Sequence, residues 1–324
     1  LFAEDVDGKP SSVMISCPQY PLFSGALSAL GIRAAYYQLD EKDQWIVNAQ
    51  ELERCFVEAS NHSSVRAIVV INPGNPTGQI LSQQNMEEII KFAFNHNLFI
   101  LADEVHQNNV VVKPFISFKK VMHEMGSPYS EMELASFFTA SKGWVAESGL
   151  RSGYCELVRL HPLVRSAFHT MCGMMQCASV LGQCALDCVV KPPTVGEESY
   201  NKFAQEVSAI RHVFAERIAF ASRIFNSIPG YSCNVIDCGI VAYPRIEIPE
   251  RAQELAEELH MAPDDFYALR LLEETGICVV PGTGFGQAPG SYHFRATILN
   301  PDKEFQHMMD SIRHFHINFL RKYS

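Results

Sequence analysis

The sequence predicts a two-domain α/β protein. The larger domain would hold a mainly parallel sheet with helices on both faces, and the smaller one, C-terminal, would be α+β. Three observations predict this. Short strand-like and helix-like stretches alternate from Ser12 onward. The run Ala-Ile-Val-Val-Ile at 67–71 is apolar without alternation, as in a strand buried on both faces of a parallel sheet. The chain of 324 residues also exceeds what one core usually holds, since single cores stop growing near about 250–300 residues. The boundary is placed around Arg211, giving 1–211 and 212–324.

The elements follow in order. Residues 1–10 open with a short apolar triplet and a polar, loop-like stretch. A strand is expected at 13–16, a helix over 23–30 ended by Gly31, and a second strand at 34–39. Residues 49–59 form an amphipathic helix with Leu52, Cys55 and Phe56 on one face. After the strand 67–71 comes a helix from Ser82, a good N-cap, to about His96, and then the strand 98–103. Strand, loop, helix and strand in that order make a right-handed crossover unit. A third parallel strand is expected at 134–138.

Beyond it, 161–190 reads as helical and apolar, with Cys172, Cys177, Cys184 and Cys188 as buried small residues rather than metal ligands. A long helix over 197–228 ends at Pro229-Gly230 and carries the domain boundary. Strands are expected over 232–244 and 276–280. A terminal helix from Asp302 has Phe305, Met308, Met309, Ile312 and Phe315 on one face.

Composition narrows the function. Hydrophobic residues at 47% and charged residues at 19% describe an ordinary globular chain. A formal net charge of −10 without a Lys/Arg block argues against binding to nucleic acid or anionic membrane, and no apolar run approaches a membrane span. The ten cysteines include no Cys-x-x-Cys pair, so no zinc site or disulfide framework is expected and the thiols should be reduced. His314 and His316, two apart on a helix, are poor metal ligands.

The chemistry gathers at strand ends. The strand 67–71 empties into Asn72-Pro73-Gly74-Asn75-Pro76-Thr77-Gly78, the strand 98–103 ends on Asp103, and the strand 134–138 delivers Thr139, Ser141 and Lys142. In open parallel sheets ligands bind beyond the carboxyl ends of the strands, so these side chains should share one crevice. Lys142 follows hydroxyl residues and precedes Arg151 by nine positions. A lysine amine forms Schiff bases with carbonyls, and pyridoxal phosphate enzymes pair such a lysine with an acid on the pyridine nitrogen. Asp103 is the candidate acid, and Asn75 can donate to the ring's phenolate oxygen. Each residue has a plainer reading: a solvated lysine, a surface arginine, a tight Asn-Pro turn, an aspartate capping a loop. Their combination at consecutive strand ends favours the cofactor reading.

These motifs, Asn-Pro-Gly-Asn-Pro-Thr-Gly (72–78), Ala-Asp-Glu-Val (102–105), Thr-Ala-Ser-Lys-Gly (139–143) and Arg-Ser-Gly-Tyr (151–154), resemble those of the fold-type I aminotransferases. Five further stretches are similar to alanine aminotransferases: Pro18-Gln19-Tyr20-Pro21-Leu22, Lys191-Pro192-Pro193, Gly196-Glu197-Glu198-Ser199, the run 271–286 and His293-Phe294-Arg295. This likeness runs over nearly the whole chain. It implies a fold-type I, pyridoxal 5'-phosphate-dependent transferase exchanging an amino group between L-alanine and 2-oxoglutarate, giving pyruvate and L-glutamate. A related class I/II aminotransferase with another amino donor, and a catalytically silent truncated form, are the alternatives.

The resemblance also assigns roles. Lys142 is the Schiff-base lysine and the base at the substrate Cα. Asp103 holds the pyridinium, Asn75 the phenolate oxygen beside the substrate, and Tyr20 stacks on the ring unless it is a core residue. Thr139 and Arg151 bind the phosphate, and Arg295, ending the strand Tyr292-His293-Phe294, grips the substrate carboxylate with its two-pronged guanidinium. Amino and 2-oxo acids are the expected small partners, a homodimer the expected assembly, and the cytoplasm or mitochondrial matrix the expected location.

Two departures stand out. The family usually has Tyr three positions after the aspartate, where it also holds the phenolate; here that position is His106. A neutral imidazole still donates one hydrogen bond, but its reach and its proton affinity near neutral pH differ, which would shift the pH dependence of the bound cofactor. The family's Gly-Ala-Ser turn, which binds phosphate at a helix N-terminus, and its N-terminal substrate-covering segment are not in the sequence, so truncation within the cofactor domain is expected.

Overall fold

The computed structural model describes Asp5 and residues 8–238, 240–298 and 302–324. Most of the opening stretch 1–10 therefore lies outside the described residues. The elements run β1 Ser11–Cys17, α1 Leu22–Ala29, β2 Arg33–Asp40, β3 Ile46–Val47, α2 Ala49–Ser60, β4 Ser64–Ile71, α3 Gln83–Asn95, β5 Phe99–Asp103, α4 Phe118–Met125, β6 Leu134–Thr139 and β7 Gly153–Val158. They continue with α5 Pro162–Met174, α6 Val180–Val190, α7 Tyr200–Phe225, β8 Tyr231–Ser232, β9 Val241–Ala242, β10 Arg245–Ile246, α8 Glu250–Glu258, α9 Pro263–Thr275, β11 Val280–Pro281, β12 Tyr292–Thr297 and α10 Asp302–Tyr323.

The first sheet has the order β3-β2-β1-β4-β5-β6-β7. Its five middle strands are mutually parallel, while β3 and β7 run antiparallel at the two edges. Residues 67–71 are all buried, as the unbroken apolar run requires. Their side chains alternate between two cores. Val13, Ile15, Ala67 and Val69 pack on the face that α1 lines through Phe23 and Leu27. Met14, Ile68, Val70 and Ile100 pack on the other, against Leu52, Ile89 and Phe118 from α2, α3 and α4. Local signals set the helix starts: Ser82 accepts a hydrogen bond from Asn85 N at 3.1 Å, and Asn48 caps α2 by accepting from Gln50 N at 2.8 Å.

The second sheet orders β11-β12-β10-β8, with β9 pairing β12. It shares a core with α8, α9, α10 and the last turns of α7, where Ile218, Ala221 and Phe225 are buried. On α10, Phe305, Met309, Ile312 and Phe315 are buried and Met308 half-buried, which matches the expected apolar face.

Four local expectations are corrected. Residues 232–244 do not form one strand: only 231–232 and 241–242 pair within the sheet. Between them, Asp237 N and Cys238 N both donate to Gly78 O, at 3.0 and 2.9 Å, so the loop after β4 takes the hydrogen bonds that a ladder would have used. Residues 276–280 are not a strand either, because Gly276 caps α9 in the left-handed region at φ 74° and only Val280 and Pro281 reach β12. The helical run 161–190 is two helices. Its four cysteines are exposed, since little of the described chain packs on α5 and α6. Lastly, Arg295 does not end its strand; it sits inside β12, opposite Val280.

Candidate active site

The parallel register sets Ile71 beside Asp103 and Asp103 beside Phe137, so β4, β5 and β6 deliver their last residues to one edge. At the end of β4 the backbone folds back on itself, with Gly74 N donating to Gln79 O at 2.9 Å. A Cβ at Gly74 would stand against the side-chain ends of Gln79 and Thr77, so a larger residue there would have to push them aside. The turn brings out Asn75, half-buried, whose Oδ1 accepts a hydrogen bond from Arg295 Nη1 at 3.0 Å. Thus β12 of the second sheet closes over the edge of the first.

Asp103 is buried at the tip of β5, and among the described residues its carboxyl group accepts one long hydrogen bond, 3.3 Å, from Val105 N. Burial raises its carboxyl to about 6, against the lowering pull of that N–H and of the Lys142 charge. Its neighbour Glu104 faces away from the crevice: it accepts from Phe118 N at 2.7 Å and from Ser136 Oγ at 2.5 Å, and burial raises it to about 7.

Lys142 is exposed two residues beyond Ala140, in the turn after β6. The next residue, Gly143, has φ 74°, and a Cβ there would lie 2.5 Å from Asn108 Cβ, so only glycine lets the lysine turn pack so closely. Gly143 N donates to Asn109 Oδ1 at 2.9 Å, and the same oxygen lies 3.3 Å from His106 Nδ1. His106 is buried. That burial, reinforced by the charges of Lys142 and Arg295, lowers its pKa to about 4, so the ring is neutral at physiological pH.

A cluster of donors lies beside the lysine. Thr139 Oγ1 is 3.0 Å from the Ser152 carbonyl and 3.1 Å from Ser141 Oγ, and Arg151 Nη1 reaches the Ser148 carbonyl at 3.1 Å and Ser141 Oγ at 3.4 Å. Arg151 has φ 51°, a left-handed conformation that bends its chain back toward Ser141. Ser152 Oγ is buried without a hydrogen-bond partner among the described residues. Arg295 is half-buried, its Cζ 5.0 Å from the centre of the Phe285 ring, and its Nε is likewise buried without a partner. Burial lowers its pKa, with Tyr20 opposing the shift, and an arginine at such a depth stays charged. Tyr20 is 39% exposed, which removes the reading of it as a core residue.

Of the residues singled out from the sequence, Asn75, Asp103, His106, Thr139, Lys142, Arg151 and Arg295 lie on β4, β5, β6 and β12 and the loops that follow the first three, and Tyr20 comes from the loop after β1, where it acts on Arg295. Sequence reasoning passed over Asn109, Ser141 as a ligand, and Ser152. Asn109 carries no motif signal, and its role follows only from its contacts with positions 106 and 143. Another cleft, of about 1050 Å³, lies between 38–54 and the second sheet, but its arginines are already paired: Arg54 with Glu51 at 2.6 Å, Arg245 with Glu41 at 3.3 Å. Among the described residues no His/Cys/Asp/Glu group has the makings of a metal site, and no helix is long and apolar enough to cross a membrane.

Known proteins share this arrangement of elements. The family model described as aminotransferase class I and II matches residues 8–312. The chain is 45% identical over 317 residues to alanine aminotransferase 2 of Xenopus laevis, covering 97% of this chain and 59% of that protein. It is also 45% identical to alanine aminotransferase 1 of Homo sapiens, covering 97% and 64%. With the probable mitochondrial alanine aminotransferase of Dictyostelium discoideum it shares 40% identity over 322 residues, 98% of this chain and 60% of that protein. It thus spans less than two thirds of these relatives' length. Among solved structures, an alanine aminotransferase from Pyrococcus furiosus superposes with a TM-score of 0.79 at 22% identity, covering 96% of this chain and 71% of that one. The match over almost the whole length, on a fold whose strand ends gather Asn75, Asp103 and Lys142, places the chain in the class I and II aminotransferase family.

Proposed function

We propose that this protein transfers an amino group between L-alanine and 2-oxoglutarate, giving pyruvate and L-glutamate, with pyridoxal phosphate as its cofactor. The observation that carries the reading is the convergence of Lys142, Asp103 and the Asn75–Arg295 pair on one sheet edge. The preference for alanine is supported by the relatives of 40–45% identity, which are named alanine aminotransferases.

The residues fit the cofactor. Bound pyridoxal phosphate supplies an electron-accepting ring that stabilises negative charge at the substrate Cα. Lys142 offers the amine that holds the aldehyde and, once released, moves the proton at Cα. Asp103 has few hydrogen bonds of its own, so it is open to a ring N–H. A cationic partner there would offset the burial that disfavours its charge. Arg295 spends Nη1 on Asn75, which leaves the edge formed by Nε and Nη2 for a carboxylate, held by two parallel hydrogen bonds. Thr139, Ser141 and Arg151, with the unpartnered Ser152 hydroxyl beside them, supply donors for a phosphate.

Exposed apolar residues on α1, α5 and α6, among them Leu22, Leu163, Met174 and Leu181, support a second copy as the subunit partner. The domain boundary is put near Arg211, upstream of the buried half of α7. Cytoplasm or mitochondrial matrix is the proposed location, in keeping with the mitochondrial relative.

The test is direct. The chain, loaded with pyridoxal phosphate, is assayed for L-glutamate formed from 2-oxoglutarate with each of a panel of amino donors. Strong preference for alanine, with loss of both turnover and the cofactor's visible absorbance in Lys142→Ala, is expected. Equal rates with other donors would point to a related aminotransferase. Cofactor uptake without turnover would point to the silent form.

A further inference from the structure

We propose that Asn109 is a positioning residue whose amide oxygen fixes position 106 as a hydrogen-bond acceptor and anchors the turn that carries Lys142. The argument starts from donors whose identity is not in question. Gly143 N–H can only donate, and it points at the Asn109 side-chain atom 2.9 Å away, so that atom is the oxygen and not the amide nitrogen. An amide oxygen has two acceptor sites, and the second faces His106 Nδ1 at 3.3 Å. Since that oxygen has no proton to give, Nδ1 carries one.

The buried ring is neutral, so with its proton on Nδ1 the other nitrogen, Nε2, holds a lone pair. Nε2 makes no hydrogen bond among the described residues. The charges that act on the ring are those of Lys142 and Arg295, both of which bear N–H donors. His106 thus offers the crevice an acceptor, where the tyrosine expected at that position would have offered a donor. On this reading the one hydrogen bond that a neutral imidazole donates goes to Asn109 and not to the phenolate. If the crevice takes pyridoxal phosphate as proposed above, Asn75 is left as the side-chain donor to that oxygen. Its amide is oriented for the task, because Arg295, itself a donor, occupies its Oδ1 and leaves Nδ2 to donate.

The clamp also explains the close packing at Gly143. One side-chain oxygen ties the loop after β5 to the turn after β6, the two segments that hold Asp103, His106 and Lys142.

The experiment is nitrogen NMR on the full 324-residue chain labelled with ring-¹⁵N histidine, with and without pyridoxal phosphate. The His106 signals are identified by their loss in His106→Gln. The expected result near neutral pH is a neutral ring protonated at Nδ1. Asn109→Asp keeps an accepting oxygen and should keep that tautomer, whereas Asn109→Leu should release it to a mixture and speed exchange of the Gly143 amide by about tenfold, the loss of one ordinary hydrogen bond. A ring protonated at Nε2 in the unaltered chain overturns the proposal, as does an unchanged tautomer in a folded Asn109→Leu variant. If that variant does not fold, the spectra of the unaltered chain and of Asn109→Asp decide. The cofactor-free spectrum keeps this result separate from the success or failure of the proposed transamination.

Discussion

Arg295 Nη1 donates to Asn75 Oδ1 at 3.0 Å, joining β12 to the loop after β4 across 220 positions of sequence. This contact binds the two sheets at the point where a substrate carboxylate would enter, and it orients both partners. The planar guanidinium is held with its Nε edge unpaired, and the amide is held with its nitrogen free to donate.

Arg295→Lys should therefore raise KM for both amino and 2-oxo acids by about 10–100-fold, the loss of a forked charge-assisted interaction of roughly 1.5–3 kcal/mol, with a smaller effect on kcat. Steady-state kinetics with alanine and 2-oxoglutarate check it. Equal KM values in the two proteins would remove Arg295 from the carboxylate site.

The phosphate cluster predicts a selective effect. Arg151→Ala should weaken pyridoxal phosphate by about tenfold or more, through loss of a charge-assisted donor, while binding of unphosphorylated pyridoxal stays the same. Titration with both ligands separates a phosphate contact from general damage to the fold.

Two buried carboxyls make the cofactor-free chain sensitive to pH. Asp103 is raised to about 6 and Glu104 to about 7, in both cases chiefly by burial. A carboxyl with a raised folded-state pKa favours folding most when protonated. Its contribution is complete below the unfolded value, near 4, and is lost as pH rises through 6 and 7. The melting temperature of the cofactor-free chain should thus fall from pH 4 toward pH 7.5 through these groups. Asp103→Asn should recover up to roughly 3 kcal/mol at the upper end while abolishing transamination. A calorimetric series at several pH values tests the sign, and an Asp103→Asn variant less stable than the parent at pH 7.5 would reverse the assignment.

Replacing the acceptor at position 106 by a donor should be visible in the bound cofactor. In His106→Tyr the phenol would donate to the phenolate oxygen, drawing off charge that otherwise holds a proton on the neighbouring imine nitrogen. The midpoint of the spectral titration should move to lower pH; an unchanged midpoint would show that position 106 does not face that oxygen.

Much of this site was legible in the sequence, because its residues sit at the ends of strands with strong local signals. The apolar run 67–71, the Ser82 cap and the alternation of elements place Asn75, Asp103 and Lys142 on one edge once the strands are taken as parallel. Local signals failed where the backbone is satisfied from afar. Residues 233–238 contain apolar side chains, but Asp237 and Cys238 bond to Gly78, Cys233 to Asn226 and Val235 to Gln44 instead of to a strand, and Gly276 stops α9 before a strand can begin. The apolar cast of 161–190 suggested burial, yet periodicity records only that a face is apolar, not what covers it.

The sequence by itself determined the parallel α/β architecture, the placing of Lys142 and Asp103 at neighbouring strand ends, and the order in which they reach the sheet edge, since these follow from residue type and period along single elements. Only the tertiary structure decided that Arg295 lies within its strand and grips Asn75, and that Asn109 makes His106 an acceptor. Those outcomes depend on which lone pairs and protons face each other across packed loops, a geometry that no spacing along the chain encodes.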